Sequence, residues 1–536
     1  MKKLKLVCVA IAMAGAAPTF AGGLLTNTNQ HVAFNRMMSR EASIGIDGVY
    51  YNPAGVVFMG EGHHLAINWQ LAYQTRTINN DYKLFTNNVN NPITPRDFKG
   101  KAFAPVIPSF QYAYNKGKWS FQANFSLTGG GGKCTFDDGL GSFEKIVSET
   151  AIAACGLAGV VDQTLGNKLG QPGMEMFTSD QAFGKTGKYS FNSYMHGRQY
   201  YYGLSVGAAY KFCDNFSAFL GVRGVYALTN YYGYVENINV GNMPLYKVLD
   251  PTKENAANIE LSCDQTGVGF TPIIGVDYKT GRWNFSAKYE FKTRIRLKNK
   301  SVNQTPSIGN LPANLANQMT GILTARYQQA GLPLEQAKQQ AENTTNAVLN
   351  DPTVGATMMG LKTQFDQKLN KAIGEYEDGK KIAGDIPGYL ALGIGYSPVD
   401  AVRVNVGFHW FDDKNATSYN NRNKELKRGT LEYNAGVEVD VNKKITLSTG
   451  WQNTNYGLSD EYMDDKSFVV SSNSAAIGGV YHINKKMDLN VAYFHTFYQH
   501  KKTSETVQLA ADKSIVYNSD YTRNNNVFAV GLDINF

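Results

Sequence analysis

Long apolar runs are what this sequence most lacks. Beyond the first twenty residues nothing approaches the ~18 to 20 apolar residues of a spanning helix, and the mean hydropathy is −0.32. A helical membrane bundle is therefore excluded, and any bilayer crossing falls to β-strands. Proline is scarce, 16 residues against 53 glycines, a balance that suits many strands joined by turns. Charge is thin as well. Charged residues make up 18% and the formal excess is +8; apart from the three lysines of the first five residues it is modest and unclustered, so no nucleic-acid partner is expected. Five cysteines and eight histidines form no Cys/His/carboxylate group at metal-ligand spacing, and neither a metal nor a cofactor is expected. Aromatics, by contrast, are abundant: 32 Tyr, 28 Phe and 5 Trp. That burial payload excludes a disordered chain.

The N-terminus sets the compartment. Lys2, Lys3 and Lys5 precede an apolar stretch from Leu6 to Ala17, and Thr19-Phe20-Ala21 offers a small-residue cleavage site. Residues 1–21 read as a secretory signal peptide. Cys8 leaves with it, so Cys134, Cys155, Cys213 and Cys263 remain in a compartment that permits disulfides.

Period-2 alternation dominates the rest. In the last strand Phe528, Val530, Leu532, Ile534 and Phe536 alternate with Ala529, Gly531, Asp533 and Asn535. The pattern recurs in thirteen more segments, beginning with Leu65/Ile67/Trp69/Leu71/Tyr73. Fourteen is an even count, as a closed bacterial barrel requires if no edge is to lie unpaired in lipid. Tight turns at Asn115 to Lys118, Lys211 to Asn215, Lys279 to Arg282, Ser397 to Asp400, Asn442 to Lys444 and Asn484 to Lys486 alternate with seven longer connections. Short periplasmic turns and long external loops are the usual asymmetry of such barrels. The fold class predicted is all-β, a 14-stranded antiparallel transmembrane β-barrel spanning residues 63–536 in the outer membrane. Two of its extracellular loops, 129–197 and 297–385, are long enough for helices of their own, over Phe143 to Leu165 and Leu311 to Ile373.

Residues 22–62 do not alternate. A segment so long, mixed in polarity and rich in small residues, is best placed inside the lumen as a hatch, its backbone groups satisfied by inward-facing polar side chains. The hatch carries Arg40-Glu41-Ala42-Ser43, Asp47 and Asn52-Pro53-Ala54-Gly55 just before the first strand. With the fourteen strands and the terminal Phe536, these residues give the chain a resemblance to the FadL family of outer-membrane transporters for long-chain fatty acids and other hydrophobic compounds. The resemblance implies an apolar passenger, bound in the barrel and released sideways into the membrane where the third strand kinks. Gly129-Gly130-Gly131-Gly132 follow Leu127-Thr128, the expected end of that strand, and are the candidate gate together with Asn52, Pro53 and Ala54. Phe34, Val56, Val57 and Phe58 are candidate lining residues. Arg36 and Arg40 either meet an acidic head group or pair with Glu41 or Asp47 in the lumen. Partners expected besides the ligand are outer-membrane lipids, lipopolysaccharide and the barrel-assembly machinery, with the protein a monomer.

Two other classes stay open. A surface adhesin or structural barrel would suit the large loops but needs no internal plug. An outer-membrane enzyme would need a nucleophile; Gly203-Leu204-Ser205-Val206-Gly207 matches G-x-S-x-G but lies within an alternating strand, without the strand-turn-helix that exposes such a serine. Finally, Cys134 and Cys155 share one expected loop and are the disulfide candidate, with Cys263 the competing partner and Cys213 a membrane thickness away.

Overall fold

The structure, a computed structural model, describes residues 25–536 apart from 28, 307 and 511–512; the expected signal peptide lies outside this range. The chain forms one closed antiparallel barrel of fourteen strands. They are β1 (Gly62–Tyr82), β2 (Arg96–Lys116), β3 (Trp119–Phe136), β4 (Tyr189–Cys213), β5 (Phe216–Val240), β6 (Ile259–Thr280), β7 (Trp283–Glu290, resuming at Arg296–Gln304), β8 (Lys381–Ala383, resuming at Tyr389–Val399), β9 (Val402–Phe411), β10 (Arg428–Asn442), β11 (Ile445–Gly457), β12 (Ser472–Asn484), β13 (Met487–Tyr498, resuming at Lys501–Ala510) and β14 (Lys513–Asn535). Closure is by β1 on β14, paired without a break from His64↔Asn535 to Tyr82↔Tyr517.

Alternation explains the wall. On β1, Ile67 and Trp69 are exposed while Asn68 and Gln70 are buried in the lumen; on β2 and β3, exposed Phe110 and Phe121 alternate with buried Gln111 and Gln122. An apolar outer face and a polar inner one are what lipid on one side and a plug on the other select.

The hatch fills the lumen. Its short helices α1 (Val32–Arg36) and α2 (Gly48–Tyr51) are wholly buried. At the long-loop end, α3 (Gly141–Leu169), α4 (Tyr246–Leu249), α5 (Leu311–Gln329), α6 (Leu334–Leu349) and α7 (Pro352–Ile373) form a cap around Val161, Leu315, Met319, Leu323 and Val348. Helix α3 is long and apolar enough to cross a membrane, against the reading that no such stretch follows the signal; half of its most apolar stretch is buried, with Val147, Ala151, Leu157, Val161 and Leu165 in the cap core.

Three boundaries differ from expectation. Strand β3 does not stop at Thr128 but runs through the glycines to Phe136, so the loop expected at 129–197 occupies only 137–188. Glycine has no side chain from which alternation can be read, yet its backbone pairs as well as any other. The loop expected at 297–385 is likewise trimmed, because β7 continues to Gln304. The seventh long connection is a projecting hairpin, with β13 reaching Ala510 and β14 starting at Lys513.

The disulfide expectation is corrected: Cys134, Cys155, Cys213 and Cys263 are all free. Cys134 stands on β3 beside Phe136 and Met195, whereas Cys155 lies in α3 within the cap core and donates to the Phe183 carbonyl at 3.3 Å. Once the glycines belong to a strand, the two cysteines no longer share a loop.

Candidate functional site: a lumenal cavity behind a break in the wall

Small residues seat the hatch along β8 to β12. A Cβ on Gly450 would lie 2.4 Å from the Met38 backbone nitrogen, and one on Gly393 would lie 2.7 Å from that of Ala42. Only glycine lets the two backbones approach so closely. Buried charges then lock the register. Arg36 pairs with Glu438 and reaches Asn490 at 3.1 Å. Arg40 donates from Nε to Asp47 at 2.7 Å and lies 3.3 Å from Glu438. His409 stands between Glu41 at 2.6 Å and Glu432 at 2.9 Å. Lys288 donates to the Tyr50 carbonyl at 2.7 Å and to Glu290 at 2.9 Å. Removing one partner of such a pair strands a buried charge.

The Asn52-Pro53-Ala54-Gly55 segment of the hatch lies nearer the tight turns. Asn52 Nδ2 donates to Asp277 on β6 at 2.5 Å, Gln122 on β3 donates to the Pro53 carbonyl at 2.7 Å, and Ser217 on β5 to that of Ala54 at 2.7 Å. Val56 packs on Ala66 and Ala113; Val57 packs with Ala209 and Phe219, with Phe58 beside them.

The opposite side of the barrel is built otherwise. Strands β2 and β3 pair from Lys116↔Trp119 to Ser109↔Ser126 and again from Phe103↔Lys133 to Gly100↔Phe136, but residues 104–108 and 127–132 make no ladder pairs with each other. Sequence supplies the cause on both strands. Pro105 and Pro108 have no N–H to give. On β3 the glycine run adds two irregularities against β4, between Leu127 and Gly129 and between Gly130 and Gly132. Gly130 sits at φ +79°, and a Cβ there would meet the Gln199 carbonyl at 2.3 Å, so this bulge is open only to glycine.

Freed carbonyls find side-chain donors. Trp69 Nε1 donates to Pro105 O at 2.9 Å from outside, and Gln30 Nε2 of the hatch donates to Leu127 O at 2.8 Å from within. The Gln30 carbonyl in turn accepts from Ser109 at 2.7 Å and Gln111 at 2.9 Å, so one buried residue bridges both strands just beside the break.

Behind the break lies a cavity of about 240 Å³, roofed by Lys466 and Phe468 and reached by Leu25 and Gln30 of the hatch; Leu127, Thr128, Gly129, Gly130 and Gly132 line its wall side. Arg76 and Arg523 also line it, standing directly opposite each other on β1 and β14. Their hydrogen bonds go to neutral acceptors: Arg523 to Gln74 at 2.8 Å and to the Phe468 carbonyl at 3.5 Å, and Arg76 to Gln74 at 3.2 Å. Among the described residues neither guanidinium has a carboxylate. A second, smaller and almost wholly apolar cavity lies in the cap, between Ala154, Leu157, Phe177, Leu249, Leu311 and Phe365, with the Lys368 to Glu149 ion pair at its edge.

Of the residues expected at the site, Gly129 and Gly130 line the cavity, and Gly131 lies in the same unpaired stretch. Phe34 is one layer beneath, packed against Phe494 and Val527, which do line it. Arg36, Arg40, Val56, Val57 and Phe58 hold the hatch. Asn52, expected at the gate, bonds Asp277 instead, and the carbonyl freed at Leu127 is met by Gln30. Pro105 and Pro108 were missed although their signal was plain: two prolines in an otherwise alternating strand mark a place where the ladder is interrupted.

No protein-family model and no curated protein matches the sequence. Among solved structures, a Pseudomonas aeruginosa FadL homologue superposes with a TM-score of 0.57 at 13% identity, covering 96% of this chain and 100% of that one. The TodX deltaS2S3 mutant monoaromatic hydrocarbon channel follows at 0.50 and 12%, covering 94% and 98%. At such identity the likeness speaks for the fold, and what it establishes is that this chain has the FadL-type architecture, a fourteen-stranded barrel closed around an N-terminal hatch.

Proposed function

We propose that the chain takes up hydrophobic compounds across the outer membrane, and among them acid-headed amphiphiles such as long-chain fatty acids, by lateral release through the wall. The passenger gathers on the apolar cavity of the helical cap, descends to the lumenal cavity, and leaves between β2 and β3 into the bilayer. A straight passage through a wet pore would leave an acyl chain in water, whereas a sideways step into lipid buries each CH₂, at about 0.8 kcal/mol apiece. The observation that carries this reading is the coincidence of the cavity with the break at residues 104–108 and 127–132. The paired arginines favour an anionic head over a bare hydrocarbon, since two half-buried cations side by side without carboxylates repel each other until an anion joins them.

The test is to close the break from its two strands. Pro105→Thr and Pro108→Thr restore two ladder donors, and Gly132→Val adds bulk against Ala104, whose Cβ lies at an ordinary 3.5 Å from a Cβ at 132. Uptake of a radiolabelled long-chain fatty acid by cells without other transporters should fall severalfold while surface abundance stays unchanged. Undiminished uptake would rule out the side exit, and a wild-type protein that takes up no apolar probe would return the adhesin reading.

A further inference from the structure

The outer surface beside the wall break carries an unneutralised basic patch. On β4 the outward side chains run through half-buried Tyr202 and Tyr200, stacked at 5.8 Å, to exposed Arg198. On β2 they run through exposed Phe103 to Lys101, and on β3 they reach Lys133. Aromatic side chains thus give way to cations at one height on three adjacent strands, the height at which an outer-leaflet headgroup meets a barrel's aromatic girdle.

Register makes the arrangement costly by itself. Lys133 is the direct cross-strand partner of Arg198, and Lys101, opposite Thr135, is one diagonal step from Lys133. Like charges directly opposite, with Cβ atoms roughly 4.5–5.5 Å apart, destabilise a sheet. Among the described residues no carboxylate lies within ion-pair distance of any of the three. The acid on the same face of β2, Asp97, is paired with Lys99 at 3.3 Å. On β4, the nearby His196 is held by Asn230 and Tyr194 and brings no negative charge.

We infer that Lys101, Lys133 and Arg198 form a seat for the phosphate of an outer-leaflet glycolipid bearing phosphate monoesters, the chemistry of the lipid A part of lipopolysaccharide. A phosphate monoester carries close to two negative charges and three acceptor oxygens, enough to bridge Lys133 and Arg198 at once and turn their repulsion into charge-assisted hydrogen bonds. A zwitterionic phospholipid brings its own cation and leaves the patch uncompensated. Once the phosphate is seated, the acyl chains run down Phe103, Tyr200 and Tyr202, across the outer mouth of the wall break. The inference rests on the outer-membrane placement of the barrel and is independent of what passes through it.

The experiment is native mass spectrometry of the detergent-purified full chain incubated with diphosphorylated lipid A or with its fully dephosphorylated counterpart. Wild type should retain at least one diphosphorylated lipid that K101Q/K133Q/R198Q does not. K443Q/K444Q/K485Q, which removes as many exposed positive charges at the tight-turn end, should match wild type. Dephosphorylated lipid should bind all three proteins alike. Equal retention of diphosphorylated lipid by wild type and the triple variant, or equal loss of both lipids from it, would overturn the seat. Heat-modifiable migration reports folding; should the triple variant fail there, R198Q alone is read in the same way. No transport is measured, so failure of the seat and failure of the uptake reading are separate results.

Discussion

The two sides of the barrel solve opposite problems with small residues. Along β8 to β12 the glycines lie in stretches where the ladder is continuous, so that the hatch backbone comes within contact of the wall and charges such as Glu438 and His409 close over it. At β2 and β3 the glycines and prolines interrupt the ladder itself, and the space behind is left to a cavity. The same residue type thus seats a plug where its neighbours pair and opens a wall where they do not. What differs is the partner strand: Gly450 faces the hatch from within a continuous ladder, whereas Gly130 faces a strand that offers Pro105 and Pro108.

The sharpest way to break this contrast is to put a side chain on each side. Gly450→Val drives a methyl group into the Met38 backbone and should displace the hatch, turning a closed barrel into one that leaks small polar solutes in liposome-swelling assays while migration stays heat-modifiable. The barrel lacking residues 25–55 is the reference for full leakage. Gly132→Val should leave permeability unchanged. A sealed Gly450→Val barrel would mean the hatch is not seated by backbone contact there.

Next in size is the charge lock. Glu438→Ala strands the guanidinium group of Arg36, leaves Arg40 with Asp47 alone, and should weaken hatch docking by about 3–5 kcal/mol, seen as faster hydrogen exchange across residues 29–58 with β1 and β14 unaffected. On the cavity side, R76Q/R523Q should weaken binding of a fatty acid about tenfold and leave binding of its methyl ester unchanged; equal loss for both would make the arginines a packing feature.

The smallest effect is in the roof. Burial pushes the carboxyl of Glu375 up to about 8, against the opposing pull of Lys466, and among the described residues neither of its oxygens has a hydrogen-bond partner. From the ordinary value of 4.5 to about 8, the folded cap keeps a proton that the opened chain releases, so the cap loses stability as pH rises through that window. Glu375→Gln should match wild type at pH 5. At pH 9 it should slow exchange in residues 305–380 by about threefold to tenfold, less than the full shift implies because local opening re-wets the site.

Much of this was legible in the chain. Leu65 to Tyr73 announce β1 because lipid and hatch demand opposite side chains at successive positions, and residues 22–62 announce a plug because they fail to alternate. Arg40 and Asp47, seven residues apart, could be foreseen as a pair. Arg36 and Glu438 could not, because nothing local marks which of many acids will face an arginine from the far wall. Cys134 was misread for a related reason: a run of glycines hides the face pattern, and the strand through it is visible only once β4 is seen to pair with it.

The sequence by itself determined strand number, the sidedness of the wall and the presence of an internal segment, since each follows from the solvent a residue must face, and that preference is a property of the side chain. Tertiary structure alone decided which charges lock the hatch and which strands bring their side chains to the cavity. Those depend on which strands become neighbours and in what register, and a shift of one residue would have turned every one of these side chains to the other face.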